Sequence, residues 1–347
     1  MKAFVAGGAG FIGSHAAETL ASQGAEVTVF DNLSRARLLN RTGEWSGFNW
    51  DYLSKVEGVR LVKGDILDSQ ALEREIEGAD VVIHAAAQTA VTTSVTDPRP
   101  DFMANALGTF SVLEAVRTRA EGASVVYCST NKVYGNNVNA IGVEEGPARY
   151  SFEKDFATGI PEDFPIDARE HTPYGCSKLA GDIYMQDYAQ VYGIKTGIFR
   201  MSCIYGERQF GVEDQGWLAH FVISTLKDRS VTIFGDGKQV RDVLYASDLI
   251  AAYLAFIERS SSLRGEVFNM GGGCGKTLSL LELISLLEKT TGRKLATKFS
   301  DWRPADQKVY VSDISKAMEK LSWAPQVEPV EGVVRLCEWV GKNSGCF

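Results

Sequence analysis

The sequence predicts an α/β protein in which a doubly wound parallel sheet is followed by a smaller C-terminal domain. Three observations carry that expectation. Short β-branched or apolar runs alternate with amphipathic segments through the first half of the chain, which is the rhythm of strand–helix–strand units with parallel pairing. A glycine-rich turn stands where the first run gives way to the first amphipathic segment. Beyond Arg200 the alternation weakens into shorter pieces, which fits a second domain.

The expected strands cover residues 2–6, 26–30, 59–62, 80–84, 124–128 and 195–200, and the expected crossover helices cover 11–23, 69–76, 101–119 and 174–192. Such crossovers are right-handed. Two insertions interrupt the rhythm, 32–57 with Trp45 and Trp50, and 136–170, rich in Gly, Pro and acidic residues. Loops of that length in a compact domain commonly cover a site. The first domain is expected over 1–200, with a segment near 240–260 rejoining it, and the second over 201–347 with pieces at 231–234, 278–288 and 314–321.

With 347 residues, 45% of them hydrophobic, the chain can build real cores. Its formal charge of −8 argues against a nucleic-acid partner, because a phosphate polymer would meet a repulsive average field. No apolar stretch is long enough to span a bilayer, and residues 1–8 read as a strand rather than a signal peptide, so no membrane partner and a cytoplasmic location are expected. Six scattered cysteines without a CxxC spacing indicate neither a disulfide framework nor a metal site.

Gly7-Gly8-Ala9-Gly10-Phe11-Ile12-Gly13 follows a strand and opens a helix. Its glycines permit a tight turn, close approach of a pyrophosphate and close helix packing. Asp31, ending the second strand, can accept hydrogen bonds from both ribose hydroxyls of NAD and would repel the extra phosphate of NADP. NAD is therefore the expected cofactor.

Tyr174 and Lys178 stand four residues apart at the start of a helix, so their side chains share a face. A phenol with an ordinary pKa of about 10 is a poor base at neutral pH, but an adjacent ammonium and a positive nicotinamide favour its phenolate. Thr130, in Ser129-Thr130-Asn131-Lys132 directly after the fifth strand, falls at the carboxyl edge where doubly wound sheets bind ligands.

Together these residues resemble, over essentially the whole chain, the extended short-chain dehydrogenase/reductases of the sugar-nucleotide epimerase and dehydratase group. Residues 7–13, the set Thr130, Tyr174 and Lys178, Val240-Arg241-Asp242-Val243 and Arg303-Pro304-Ala305-Asp306-Gln307 carry the resemblance. It implies a Rossmann-type sheet, a smaller C-terminal substrate-binding domain and a homodimer formed by the helices at 101–119 and 174–192. It adds Phe11, Ile12, Asn32, Asp65, Ile66, Ala85, Ala86, Ala87 and Asn105 to the cofactor contacts, with Lys178 on the nicotinamide ribose. On the substrate side it implies Gln88, Ser94, Asn131, Ser202 and Cys203 near the sugar, Gln209, Gln215 and Trp217 near the nucleotide, and Arg241 and Arg303 on the diphosphate, where a planar guanidinium suits bidentate binding.

Members that dehydrate carry an Asp-Glu pair after the catalytic Thr, because eliminating water needs its own acid and base. Here those positions are Asn131 and Lys132, which leaves oxidation and re-reduction at one carbon, an epimerisation. Residues 129–135, 172–178, 204–210 and 214–217 are most similar to the CDP-tyvelose (CDP-paratose) 2-epimerase branch, which points at C2 of the sugar. A UDP-hexose or UDP-uronate 4-epimerase is the alternative, although that branch usually places Asn where this chain has Cys203. A non-catalytic NAD sensor is a third reading, and the intact Tyr174 and Lys178 argue against it.

Overall fold

The computed structural model describes residues 1–35, 47–303 and 306–347; Trp45, Pro304 and Ala305 lie outside the described residues. In chain order the strands are β1 (Lys2–Ala6), β2 (Glu26–Asp31), β3 (Val59–Lys63), β4 (Val81–His84), β5 (Ser124–Thr130), β6 (Val143–Glu145), β7 (Tyr150–Phe152), β8 (Lys195–Met201), β9 (Cys203–Tyr205), β10 (Val231–Phe234), β11 (Val240–Tyr245), β12 (Glu266–Met270), β13 (Thr277–Ser279), β14 (Thr297–Ser300) and β15 (Val309–Tyr310). The helices used below are α1 (Phe11–Ser22), α2 (Phe48–Leu53), α3 (Ser69–Ile76), α4 (Val91–Thr96), α5 (Gly108–Arg119), α6 (Pro173–Val191), α7 (Trp217–Leu226), α8 (Ala246–Arg259), α9 (Leu280–Thr291), α10 (Ser315–Leu321) and α11 (Pro329–Lys342).

The chain divides into two compact units. The first comprises 1–130, 173–200 and 250–268 and carries a seven-stranded sheet in the order β12-β8-β5-β4-β1-β2-β3. The neighbours of β1 are β2 on one side and β4 on the other, both parallel, so the strand order reverses at β1. Ligands of doubly wound sheets bind outside the carboxyl ends of strands at such a reversal. Register brings the relevant residues level: Ala6 pairs with Phe30 and with His84, and His84 with Tyr127, so Gly7, Asp31, Ala85 and the last residues of β5 leave the sheet along one edge.

Every residue of β4 and β5 is buried, as expected of central parallel strands covered on both faces. Phe4, Val82, Val125 and Tyr127 pack with Leu72, Leu113, Val116 and Met185 from α3, α5 and α6. The helix expected at 101–119 is interrupted: a wider π-helical stretch, Phe102–Leu107, precedes α5. Such bulges gather at functional sites, and this one holds the buried Asn105.

The second unit comprises 131–172, 201–249 and 269–347. Strand β11 is its centre, parallel to β9 and β15 and antiparallel to β13, while β10 pairs with β14 and β6 with β7. Its core joins Leu218 and Phe221 of α7, Leu283 and Leu287 of α9, and Val333 and Leu336 of α11. Ser279 and Glu282 close a reciprocal capping box at the start of α9, which answers two otherwise orphaned backbone donors. The expected boundary at residue 200 differs from this division. Residues 131–172, expected in the first domain, pack in the second unit, which is nearly as long as the first; residues 250–268 return to the first.

Candidate active site

The glycine loop is shaped by close backbone contact. Gly7 adopts φ +78°, its N–H donates to Phe30 O at 2.9 Å, and a Cβ there would lie 2.4 Å from Ala86 N. A Cβ on Gly13 would lie 2.3 Å from Gly7 O, so neither position accepts a side chain. Gly10, at the N-cap of α1, offers no capping side chain, which leaves the first-turn amides suited to an anion. The small residues Ala85, Ala86 and Ala87 follow β4 at the same edge. This cradle fits a dinucleotide pyrophosphate.

Asp31 accepts from Ala9 N at 3.0 Å and Leu33 N at 2.8 Å, which turns its carboxylate toward the loop, while burial raises its pKa above the ordinary value. Asn32 donates to Asp65 at 2.9 Å, Asp65 also accepts from Leu67 N at 3.0 Å, and Ile66 is buried between them. Phe11 and Ile12 open α1 half-buried.

Thr130 ends β5, and Tyr174 and Lys178 lie on the first turns of α6, with Tyr174 8%, Thr130 7% and Lys178 2% exposed. Thr130 and Tyr174 are hydrogen-bonded, and Lys178 lies one turn further along the same helix. Burial nevertheless pushes the Tyr174 phenol up to about 12, with a hydrogen bond from Thr130 working in the opposite direction. Desolvation, rather than a neighbouring ammonium, therefore dominates the phenol's surroundings. Burial likewise pulls the Lys178 ammonium down to about 8, against the favourable fields of Cys128 and Asp182. Lys178 Nζ sits 4.3 Å from the centre of the Tyr127 ring, a cation–π contact.

Gln88 and Ser94, expected to face the sugar, are spent on the protein. The Gln88 amide donates to Asp101 at 3.0 Å and to Ala90 O at 3.2 Å and accepts from Ala90 N. Asn105 brackets the Gln88 backbone with two 2.9 Å hydrogen bonds and donates to Ser177 Oγ at 2.9 Å. Ser94 Oγ donates to Val91 O at 2.6 Å and accepts from Tyr174 N at 3.2 Å. The reason is backbone satisfaction: the loop leaving β4 and the start of α6 are buried, and their amides need partners.

In the second unit Arg241 forms an ion pair with Asp306 at 2.7 Å, and Lys132 donates to Gln307 at 3.3 Å, so two cations converge on consecutive residues. Burial, reinforced by the Arg241 charge, draws Lys132 down to about 8. Cys203 accepts from Trp217 Nε1 at 3.2 Å. Ser202 is committed to Asp242, Gln209 donates to Ile204 O at 3.0 Å, and Gln215 bridges Val212 through its backbone. Arg303 pairs with Asp214 at 3.0 Å and lies 3.8 Å over the Phe234 ring. Arg303 and Asp306 also line a cavity of about 390 Å³ with Asn136, Asn139, Trp302 and Lys308. Asn131 is buried at the start of this unit.

Sequence reasoning named Lys132 only as the residue displacing a dehydratase glutamate; its place beside Gln307 and Arg241 is a tertiary fact. The Arg241–Asp306 pair spans 65 residues and has no local signal. Among the described residues no group of three His, Cys, Asp or Glu could hold a metal ion, and no helix is long and apolar enough to cross a membrane.

Comparison with known proteins agrees with this geometry. The chain is 40% identical over 346 residues to the CDP-paratose 2-epimerase of Salmonella typhi, covering 98% of this chain and 99% of that one. It is 34% identical to a putative UDP-glucose 4-epimerase of Methanocaldococcus jannaschii, with 98% of each covered. Among solved structures, the UDP-glucuronic acid 4-epimerase of Bacillus cereus in complex with UDP-glucuronic acid and NAD superposes with a TM-score of 0.82 at 29% identity, over 99% of this chain and 100% of that one. The sequence pattern of the NAD dependent epimerase/dehydratase family matches residues 3–271, and the chain belongs to that family.

Proposed function

We propose that this chain is a nucleotide-sugar epimerase that inverts carbon 2 of a CDP-hexose of the paratose/tyvelose type. The observation that carries the reading is the 40% identity, end to end, to a CDP-paratose 2-epimerase, against 34% for the 4-epimerase relative. Cys203, hydrogen-bonded to Trp217, supports the same choice, since the 4-epimerase branch usually carries Asn there.

A carbinol carbon of this kind has no acidic proton, so inversion requires oxidation to a ketone and reduction from the other face. NAD supplies the hydride acceptor, which becomes the donor for the return. Tyr174 takes the proton of the C2 hydroxyl and gives it back, and Thr130 hydrogen-bonds the same oxygen. Lys178, as an ammonium, stabilises the phenolate and holds the nicotinamide ribose. Gly7, Gly10, Phe11, Ile12 and Gly13 hold the pyrophosphate, Asp31 and Asn32 the adenosine ribose, Asp65 and Ile66 the adenine, and Ala85, Ala86, Ala87 and Asn105 the floor beneath the dinucleotide.

Arg241 and Arg303 bind the diphosphate, with Gln209, Gln215 and Trp217 toward the nucleoside and Asn131, Ser202 and Cys203 toward the sugar. Gln88 and Ser94 act by shaping the walls, since their side chains are already engaged. Asn131 and Lys132 supply no carboxylate for elimination, so the ketone has no route to dehydration.

The protein is proposed to be a homodimer: Phe102, Leu107, Phe110, Ile183, Tyr184, Val191 and Tyr192 are exposed on and beside α5 and α6, two elements that pack on each other. A contiguous apolar face of this kind marks an interaction surface. The free cysteines suit a reducing compartment, the cytoplasm. Incubation with CDP-paratose, CDP-glucose, UDP-glucose and UDP-glucuronate, with products resolved by NMR, tests the reading. Inversion at C2 of a CDP-sugar is expected, and turnover of UDP-sugars at C4 alone would overturn it.

A further inference from the structure

Asp182 stands one turn beyond Lys178 on α6, on the same face. It is fully buried, and its carboxylate is saturated by donors. Ser129 Oγ at 2.7 Å and Arg200 Nε at 3.0 Å donate to Oδ2, while Arg200 Nη2 at 3.0 Å and Gln186 Nε2 at 2.7 Å donate to Oδ1. The Arg200 side chain is only 4% exposed. A buried ion pair is a poor way to stabilise a fold, because desolvating both charges consumes most of what their attraction returns, and a packed apolar pair of similar volume is often as stable or more so.

Its position supplies another reason. Ser129 directly precedes Thr130 at the end of β5. Anchoring the Ser129 hydroxyl on Asp182 therefore holds the end of β5 against α6, the helix whose Tyr174 hydrogen-bonds Thr130. Arg200, near the end of β8, gives the same carboxylate a hold on the neighbouring strand. We propose that the buried Asp182–Arg200 pair is a positioning device for the reaction, which sets Thr130 against Tyr174 through Ser129 and holds a carboxylate one turn from Lys178. This rests on the reading of Thr130, Tyr174 and Lys178 as the reacting set.

The groups facing Lys178 are Cys128 and Tyr127 of β5, His84 of β4 and Asp182 on its own helix. Burial draws its ammonium down to about 8, and the Cys128 and Asp182 fields oppose that pull. Removing the Asp182 charge takes away one of the two fields that oppose that pull.

Three variants test this: Asp182→Asn, Asp182→Glu and the apolar double variant Asp182→Leu with Arg200→Met. The double variant is expected to unfold cooperatively near the wild-type temperature yet to lose about 100-fold or more in kcat, the range of a misplaced acid–base group, with a smaller change in KM. In Asp182→Asn the basic limb of the kcat–pH profile is expected to move to lower pH, and Asp182→Glu to restore much of kcat. A folded double variant with wild-type kcat would overturn the proposal. If that variant does not fold, an unmoved basic limb in Asp182→Asn overturns it instead. The Lys178 Nζ titration, followed by NMR in 15N-lysine-labelled protein, reads the charge coupling without turnover: a lower midpoint in Asp182→Asn supports it and an unchanged one refutes it. Absence of epimerase activity in the wild type would defeat the functional reading alone.

Discussion

Burial disfavours the charged forms of both Tyr174 and Lys178, the forms that the proposed mechanism uses. A group that resists ionisation at rest returns its proton readily, which suits a residue that must act as base and then as acid in one cycle. Removing one hydroxyl by Tyr174→Phe is expected to lower kcat by about 10²- to 10⁴-fold while leaving the melting temperature nearly unchanged; retained turnover would refute its role. Because Lys178 is held at about 8, its ammonium is present below that pH and lost above it, so kcat is expected to fall as pH rises through about 8. His84 is another base pulled down by burial. It is fully buried, desolvation lowers it from 6.5 to about 3, and its ring accepts or donates at Thr109 Oγ1 at 2.9 Å. The folded state therefore binds fewer protons than the unfolded state between those values. The stability this contributes is complete above pH 6.5 and lost as pH falls toward 3, at up to about 1.4 kcal/mol per pH unit. His84→Gln is expected to flatten that acid slope in urea titrations across pH 4 to 6.5, and an unchanged slope would contradict the assignment.

At the scale of elements, the loop joining β1 to α1 is the part most tightly specified. Gly13→Ala would place a methyl 2.3 Å from Gly7 O, a distance no relaxed structure tolerates. The variant is expected to purify without bound NAD, as read by absorbance and release assay, and to melt earlier. The central strands were legible in the sequence because strands covered on both faces carry apolar runs, as in Val81–His84 and Val125–Cys128. Their ends were less so. Ser129 and Thr130 extend β5 beyond the apolar run, since ladder pairing and Asp182 hold them rather than their own hydrophobicity. The π-helical stretch at Phe102–Leu107 leaves no mark in a pattern of apolar spacing. The segment 131–172 packs in the second unit rather than with the residues before it, because its Gly, Pro and acidic residues announce a loop but not the surface it covers; backbone bonds such as Tyr150 N to Lys238 O at 2.9 Å and Ile160 N to Val311 O at 2.7 Å decide that.

For the whole molecule, the Tyr174–Lys178 pair and the glycine loop were readable because each is local, a four-residue helical spacing and a seven-residue turn, whereas Thr130 reaches Tyr174 only through the fold. The ion pairs Asp182–Arg200 and Arg241–Asp306 join residues 18 and 65 positions apart, and only the fold brings each pair together. The exposed apolar face of α5 and α6 gives an assembly prediction. Ile183→Asp with Tyr184→Asp is expected to convert a dimer to monomer in sedimentation experiments, and an already monomeric wild type would contradict the homodimer. The chemistry itself is best followed through one hydrogen. CDP-paratose deuterated at C2, incubated with the enzyme in ordinary water, is predicted to give CDP-tyvelose that keeps its deuterium at C2, because the hydride leaves and returns without meeting solvent. Deuterium lost to water, or no inversion at C2, would contradict the account.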